Sequence, residues 1–275
     1  MRIDRVILTL NNNKTYTPSW NIVSPIWKNI FNITPTLIFI GTQEEFDSNN
    51  FDLSFGDYVI LNSIPGVSEP NPDWSVTWSL FWGASQYPDD VCLLSGIDQI
   101  PIGDFFFKEI LKYDDNKFVI GFSDAYTNYD INTLGYFNTQ TNVLYPSSHL
   151  VGKGKKFKEI YQILDDWEEE IVKVFNTKDR YHLKNNFYLN RLWGLDECYS
   201  SEMISMFDKQ DDIVHLGIFW DYWYKNRIDL NGRINHNFDI DLVKSGYYSE
   251  VTCKGIEYHK DEIKMIINNI NKLNI

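Results

Sequence analysis

The sequence predicts an α/β fold on a mixed, mostly parallel central sheet flanked by helices, and three observations carry that reading. Continuous β-prone apolar runs occur at Val6–Leu10, Thr36–Ile40 and again from Val91 to Ser95. Between them, Trp20, Val23, Trp27, Ile30 and Phe31, and then Trp74, Trp78, Phe81 and Trp82, recur at helical spacing. Strand, helix, strand in that order implies parallel pairs joined by right-handed crossovers, with helices flanking the sheet.

Each element has a local reason. Val6–Leu10 stops at Asn11-Asn12-Asn13, a natural loop, and reads as a central strand. Pro25 inside the first helical set predicts a helix that starts late or bends. Thr36–Ile40 is closed by Gly41, and a short apolar stretch, Tyr58–Leu61, sits among Ser, Asn, Gly and Pro. The aromatic stripe at 74–82 is read as core packed on the sheet. After residue 117 the runs shorten to Phe118–Phe122 and Thr133–Phe137, which predicts mixed or antiparallel additions. Phe157 through Phe175 reads as one long amphipathic helix, with Asp165, Asp166 and Glu168–Glu170 on its wet side, and Ile263 through Leu273 as a last one.

Composition bounds the function. The chain has 275 residues, 43% of them hydrophobic and 16% aromatic, which is enough for a large core in one domain. A net charge of −13 argues against sequence-independent binding to nucleic acid or to anionic membranes, both of which need a basic face. Cys92, Cys198 and Cys253 are odd in number and widely spaced, suggesting neither a disulfide framework nor a zinc site. No signal-peptide pattern and no run of about 20 apolar residues is present, so a cytoplasmic location is expected.

The chemistry starts at Asp98. The strand from Val91 delivers this acid just before Pro101, and open α/β sheets place metal- or phosphate-handling groups at the carboxyl ends of their strands. Asp98 equally suits a turn or the cap of a helix beginning near Gly103. Downstream, Asp196 and Glu197 stand at the start of an apparent helix running to Phe207, where a capping role and a catalytic role both fit. Trp220 and Asp221, with Tyr222 and Trp223, combine aromatic faces with a carboxylate, which suits core packing of at least one tryptophan as well as stacking on a sugar ring. No Gly-rich phosphate loop of the usual spacings is present.

Four segments in order carry a resemblance: Val6–Leu10 with Tyr16 and Trp27; Cys92-Leu-Leu-Ser-Gly-Ile-Asp-Gln-Ile-Pro101; Tyr145-Pro-Ser-Ser-His-Leu-Val-Gly-Lys-Gly-Lys-Lys-Phe157; and Trp193-Gly-Leu-Asp-Glu197. Together they resemble a group of nucleotide-diphospho-sugar glycosyltransferases of the GT-A fold. The resemblance covers most of the chain through short motifs. It implies one domain, with 1–102 binding the nucleotide sugar and 103–275 serving the acceptor. The implied activity is transfer of a hexosyl or deoxyhexosyl group from a UDP- or GDP-sugar to a hydroxyl of a glycan or glycoconjugate. Alternatives are a non-catalytic carbohydrate- or nucleotide-binding protein on a decayed scaffold, or a nucleotidyltransferase.

The resemblance also implies roles residue by residue. The family's acidic motif, Ser-Asp-Ile-Asp-Met-x-Pro, falls here on Gly96, Ile97 and Asp98, so only the second acid is present. Asp98 is the implied ligand of Mn²⁺ or Mg²⁺ beside the diphosphate. Thr252 falls where a later metal-associated His is expected. A second route neutralises the diphosphate with basic side chains, for which Lys153, Lys155 and Lys156 are candidates, although the same lysines also read as a solvated basic turn before the helix. The donor base is expected near Thr9, Leu10, Asn11 and Gly41, and His149 and Lys153 lie in the segment resembling the sugar-side loop. Asp196 and Glu197, with Trp193, face the acceptor, where a carboxylate takes the acceptor proton or stabilises an oxocarbenium-like transition state.

Overall fold

The computed structural model describes residues 1–68, 73–126, 143–181, 194–217, 227–230 and 239–270. The N-terminal part follows the expected alternation: β1 (Arg5–Asn11), α1 (Trp20–Asn29), β2 (Thr34–Ile40), a short α2 (Gln43–Asp47), β3 (Asp57–Leu61), α3 (Asp73–Ser85) and β4 (Val91–Leu94). A short β5 (Gln99–Pro101), α4 (Phe105–Ile110) and β6 (Phe118–Gly121) come next. They are followed by β7 (Leu150–Lys153), α5 (Gly154–Tyr161), α6 (Trp167–Phe175), α7 (Leu195–Met206) and β8 (Ile213–Leu216). The chain closes through β9 (Arg227–Asp229), α8 (Ile240–Lys244), β10 (Glu250–Thr252) and α9 (Lys260–Asn269).

Among the described residues, seven strands form the main sheet in the order β3-β2-β1-β4-β7-β6-β8. Only β7 runs antiparallel to its neighbours, pairing that way with both β4 and β6. The mixed, mostly parallel sheet expected from the sequence is therefore present. Strand order reverses at β1: β2 lies on one side of it and β4 on the other. That reversal leaves a crevice at the carboxyl ends of the strands, because successive crossovers depart in opposite directions. Ile7 pairs with Leu94, the last residue of β4, whereas β1 runs on through Leu8–Asn11 beside β2 alone.

Alternation along β1 feeds two cores. Val6, Leu8 and Leu10 join Trp20, Trp27 and α4 on one face, and Ile7 joins Trp74, Trp78 and α5 on the other. The aromatic stripe of α3 is core, with Trp78 and Phe81 stacked at 4.6 Å and Tyr161 edge-on to both. Pro25 lies inside α1, which begins already at Trp20 after a 3₁₀ turn.

Two expectations are corrected. The long helix over 157–175 is two helices: Gln162 turns left-handed at φ 51° to end α5, and Asp166 starts α6 by accepting from the Glu169 N–H at 2.9 Å. Nor is the acidic run wholly solvated. Glu170 is fully buried and accepts from Trp78 Nε1 at 3.1 Å and from the Leu164 N–H at 2.8 Å. The strand expected at 133–137 lies outside the described residues.

A second, three-stranded sheet, β5-β10-β9, hangs beside the crevice. It brings the C-terminal part of the chain against the loop that carries Asp98, through β5, which starts one residue after it. All three cysteines are buried and free, and no helix among the described residues is long and apolar enough to cross a membrane.

Candidate active site

The crevice at the ends of β1 and β4 holds a cleft of about 510 Å³. Thr9, Leu10 and Asn11 form one wall, the loop Gly96–Gln99 another, and Ser147, Ser148, Gly194, Asp196, Glu197 and Lys254 close it. Its size is in the range of small-molecule and cofactor sites.

After Leu94 the chain leaves the sheet. The Gly96 N–H donates to Gln99 Oε1 at 2.8 Å, and the Gln99 N–H returns to the Gly96 carbonyl at 3.1 Å. This tight turn aims Asp98 into the cleft. Its carbonyl accepts from the Cys253 N–H at 2.9 Å, tying the loop to the end of β10. Burial pushes the Asp98 carboxyl up; its own backbone N–H, Arg227 and Lys254 oppose that, and Glu250 adds to it. A Cβ on Gly96 would come 2.8 Å from Asp98 Oδ1 and 3.1 Å from Gln99 Oε1. The Asp98 carboxylate and the Gln99 amide therefore crowd the space in which a side chain at 96 would begin.

Asp196 and Glu197 open α7. Gly194 takes φ 88°, a left-handed turn that glycine enters without steric cost, and this swings the first helical turn toward the cleft. Asp196 is 4% exposed, and its Oδ2 accepts from the Ser147 hydroxyl at 2.5 Å. The backbone N–H groups of Asp196 and Glu197 also favour its charged form, so the carboxylate faces the helix start as well as the cleft. Glu197, partly exposed, accepts from the Tyr126 hydroxyl at 3.0 Å, and the nearby Ser147 backbone N–H favours its charged form. Burial raises both carboxyls, and the charge on Asp196 raises Glu197 further, so the two behave as one coupled pair that resists double ionisation.

The structure brings together Thr9, Leu10, Asn11, Asp98, Asp196 and Glu197. Three other candidates sit elsewhere. Gly41 ends β2 beside Phe39 and Glu45, outside the lining. His149 is buried: its Nε2 lies 3.0 Å from Glu250 Oε2, and its ring packs edge-on to Phe106 and Phe122. It supports the Ser147-Ser148 turn from behind rather than lining the cleft. Lys153 pairs in register with Val91, at the amino end of β4 and so at the opposite edge of the sheet, and lies 3.7 Å from Asp115. Lys156, near that edge too, is held by Asp212 at 2.6 Å. Trp193, Trp220 and Asp221 lie outside the described residues.

Lys254, Ser147 and Tyr126 were not singled out from the sequence. Ser147 stood within a quoted motif, but Lys254 had no signal beyond a lone basic residue before Gly255. For a divalent cation the donor set fits poorly. Asp98 is the one carboxylate on its loop, a lysine shares its surroundings, Thr252 is buried in β10, and no three His, Cys, Asp or Glu side chains converge among the described residues. Hard cations collect several oxygen donors and are disfavoured beside an ammonium group.

No protein-family model and no curated protein matches the chain. Among solved structures it is similar to the galactosyltransferase LgtC in complex with donor and acceptor sugar analogs. The identity is 10%, over 98% of this chain and 97% of that one, with a TM-score of 0.50. An active-site mutant of LgtC aligns at 9% identity over 98% and 97%, TM-score 0.48. The bifunctional glycosyltransferase WbbM in its apo form aligns at 10% identity over 99% of this chain and 50% of that one, TM-score 0.45. The fold is thus of the GT-A type, a mixed sheet with its crevice at the β1/β4 switch.

Proposed function

We propose that this protein is a glycosyltransferase moving a sugar from a UDP- or GDP-sugar to a hydroxyl of a glycan or glycoconjugate. One observation carries the reading: the adjacent carboxylates Asp196 and Glu197 lie in the same cleft as Asp98, at the switch point of a GT-A-type sheet. The donor nucleotide runs along Thr9–Asn11 with its diphosphate toward Asp98, and the acceptor enters beside α7.

In the reaction the acceptor oxygen bonds to the anomeric carbon, the bond from that carbon to the diphosphate oxygen breaks, and the nucleoside diphosphate leaves with the electron pair. The acceptor proton needs a base. A pair that resists double ionisation keeps one carboxylate charged near neutral pH, and that one either receives the proton or stabilises the oxocarbenium-like transition state. Ser147 and Tyr126 hold the carboxylates in place by donating to them. Calorimetry with a panel of UDP- and GDP-sugars tests the donor half; no binding to any of them overturns it.

A second reading, a non-catalytic carbohydrate- or nucleotide-binding protein on the same scaffold, is favoured by the glycine at position 96. It is distinguished by donor binding without any turnover.

A further inference from the structure

We infer that the cleft binds the diphosphate of its nucleotide without a resident divalent cation, with Lys254 supplying the positive charge. This rests on the donor reading above, and it names how that same site meets its anion.

Three independent features lead here. First, the turn at Gly96–Gln99 is packed by its own side chains: the Asp98 carboxylate and the Gln99 amide crowd the position of a Cβ at 96. In this conformation the loop presents one acid, and a second at position 96 would displace it. Second, Lys254 is exposed, and it is the basic residue among the described residues lining the cleft. The hydrogen bond from the Cys253 N–H to the Asp98 carbonyl, 2.9 Å, fixes its backbone one residue from that contact. Gly255 then turns away at φ 67°, so the lysine projects from a short ordered corner. Third, the protein carries a net charge of −13, and Asp98, Asp196 and Glu197 face the cleft. An entering diphosphate therefore needs a local cation, and the lysine is close enough to Asp98 to act on its charge.

The other basic candidates from the sequence, Lys153, Lys155 and Lys156, do not compete, because all three lie toward the far edge of the sheet: Lys153 is opposite Val91, the Lys155 N–H donates to the Pro88 carbonyl, and Lys156 follows in α5. Arg227 acts on Asp98 from behind: it is buried, with its Nε 3.7 Å from Glu250 Oε1. It supports the acid without lining the cleft.

The test is calorimetric titration of the full chain with inorganic pyrophosphate, UDP and GDP, in EDTA and again in Mn²⁺. The expected result is binding in EDTA that changes less than about threefold on adding Mn²⁺. Lys254→Met should weaken it by about tenfold or more, about 1.4 kcal/mol, and Lys254→Arg should restore most of the loss. Thermal melts establish that both variants fold. Should Lys254→Met not fold, Lys254→Gln replaces it, and the EDTA comparison on the unmodified protein still decides the metal question. Binding that appears only with Mn²⁺ overturns the inference and leaves the donor reading standing. Full affinity in folded Lys254→Met also overturns it. No binding of any probe, with or without Mn²⁺, overturns both.

Discussion

Gly96 and Asp98 are sterically coupled: a Cβ on the glycine would lie 2.8 Å from Oδ1 of the aspartate. The atom in the way is the end of a side chain and not backbone, so the loop has room to yield. Gly96→Ala is expected to cost little stability, about 1 kcal/mol or less, while displacing the Asp98 carboxylate. A thermal melt close to the parent's, together with a measurable shift in nucleoside diphosphate affinity in EDTA, is the expected pair of results. Unchanged binding would mean that the position of Asp98 does not matter to the ligand.

The carboxylate pair makes stability depend on pH with a defined sign. Unfolded, Asp196 and Glu197 ionise near the ordinary value of about 4; folded, burial raises both. Ionisation therefore favours the unfolded chain, so stability is fullest below the ordinary range and falls as pH rises through the raised values. Glu197→Gln should melt higher than the parent at about pH 8, and the gap should shrink toward about pH 5. A gap that does not vary with pH would contradict the raised pair.

The same pair should set the acid limb of the activity profile. Hydrogen bonds from Ser147 and Tyr126 favour the charged carboxylates, so removing either raises the carboxyl it served. Ser147→Ala and Tyr126→Phe are each expected to move the acid limb of kcat/KM to higher pH. A fall in activity without that displacement would assign these residues to packing alone.

His149 adopts φ 63°, packs between Phe106 and Phe122, and lies against Glu250. Its removal leaves a buried carboxylate with one partner fewer. His149→Ala is expected to lose about 1–3 kcal/mol in denaturant unfolding. Glu170→Ala should cost a similar amount, because it strips the Trp78 indole and the Leu164 amide of their acceptor. Loss of donor affinity in His149→Ala at unchanged stability would restore a direct ligand role for the histidine.

Much of the scaffold was legible because the physics was local. The runs at Val6–Leu10 and Thr36–Ile40 and the stripe from Trp74 to Trp82 are contiguous signals, and each became the expected element. The break between α5 and α6 was written in Asp166 and Glu169, an N-cap spacing, but the apolar period continues across it because both helices pack into the same core as α3. Glu170 looked like part of a wet face; only the tertiary position of Trp78 makes it an interior acceptor. In the cleft, Asp98 and the pair on α7 lie where strand-end and helix-start patterns place carboxylates. Lys254 follows no such pattern, since three-residue strands such as β5 and β10 leave no periodicity, and its place depends on the contact of Cys253 with Asp98. A basic Gly-rich turn looks alike at either end of a strand, and only the antiparallel sense of β7 places Lys153 at the far edge.

The most direct measurement is turnover: release of nucleoside diphosphate and formation of glycoside from UDP- and GDP-sugars with a panel of sugar acceptors, for the parent protein, Asp196→Asn and Glu197→Gln. Transfer by the parent that drops by about 100-fold or more in at least one variant, with donor binding retained, is the expected result. Donor binding with no transfer to any acceptor, or transfer undiminished in both variants, would contradict a catalytic role for the pair.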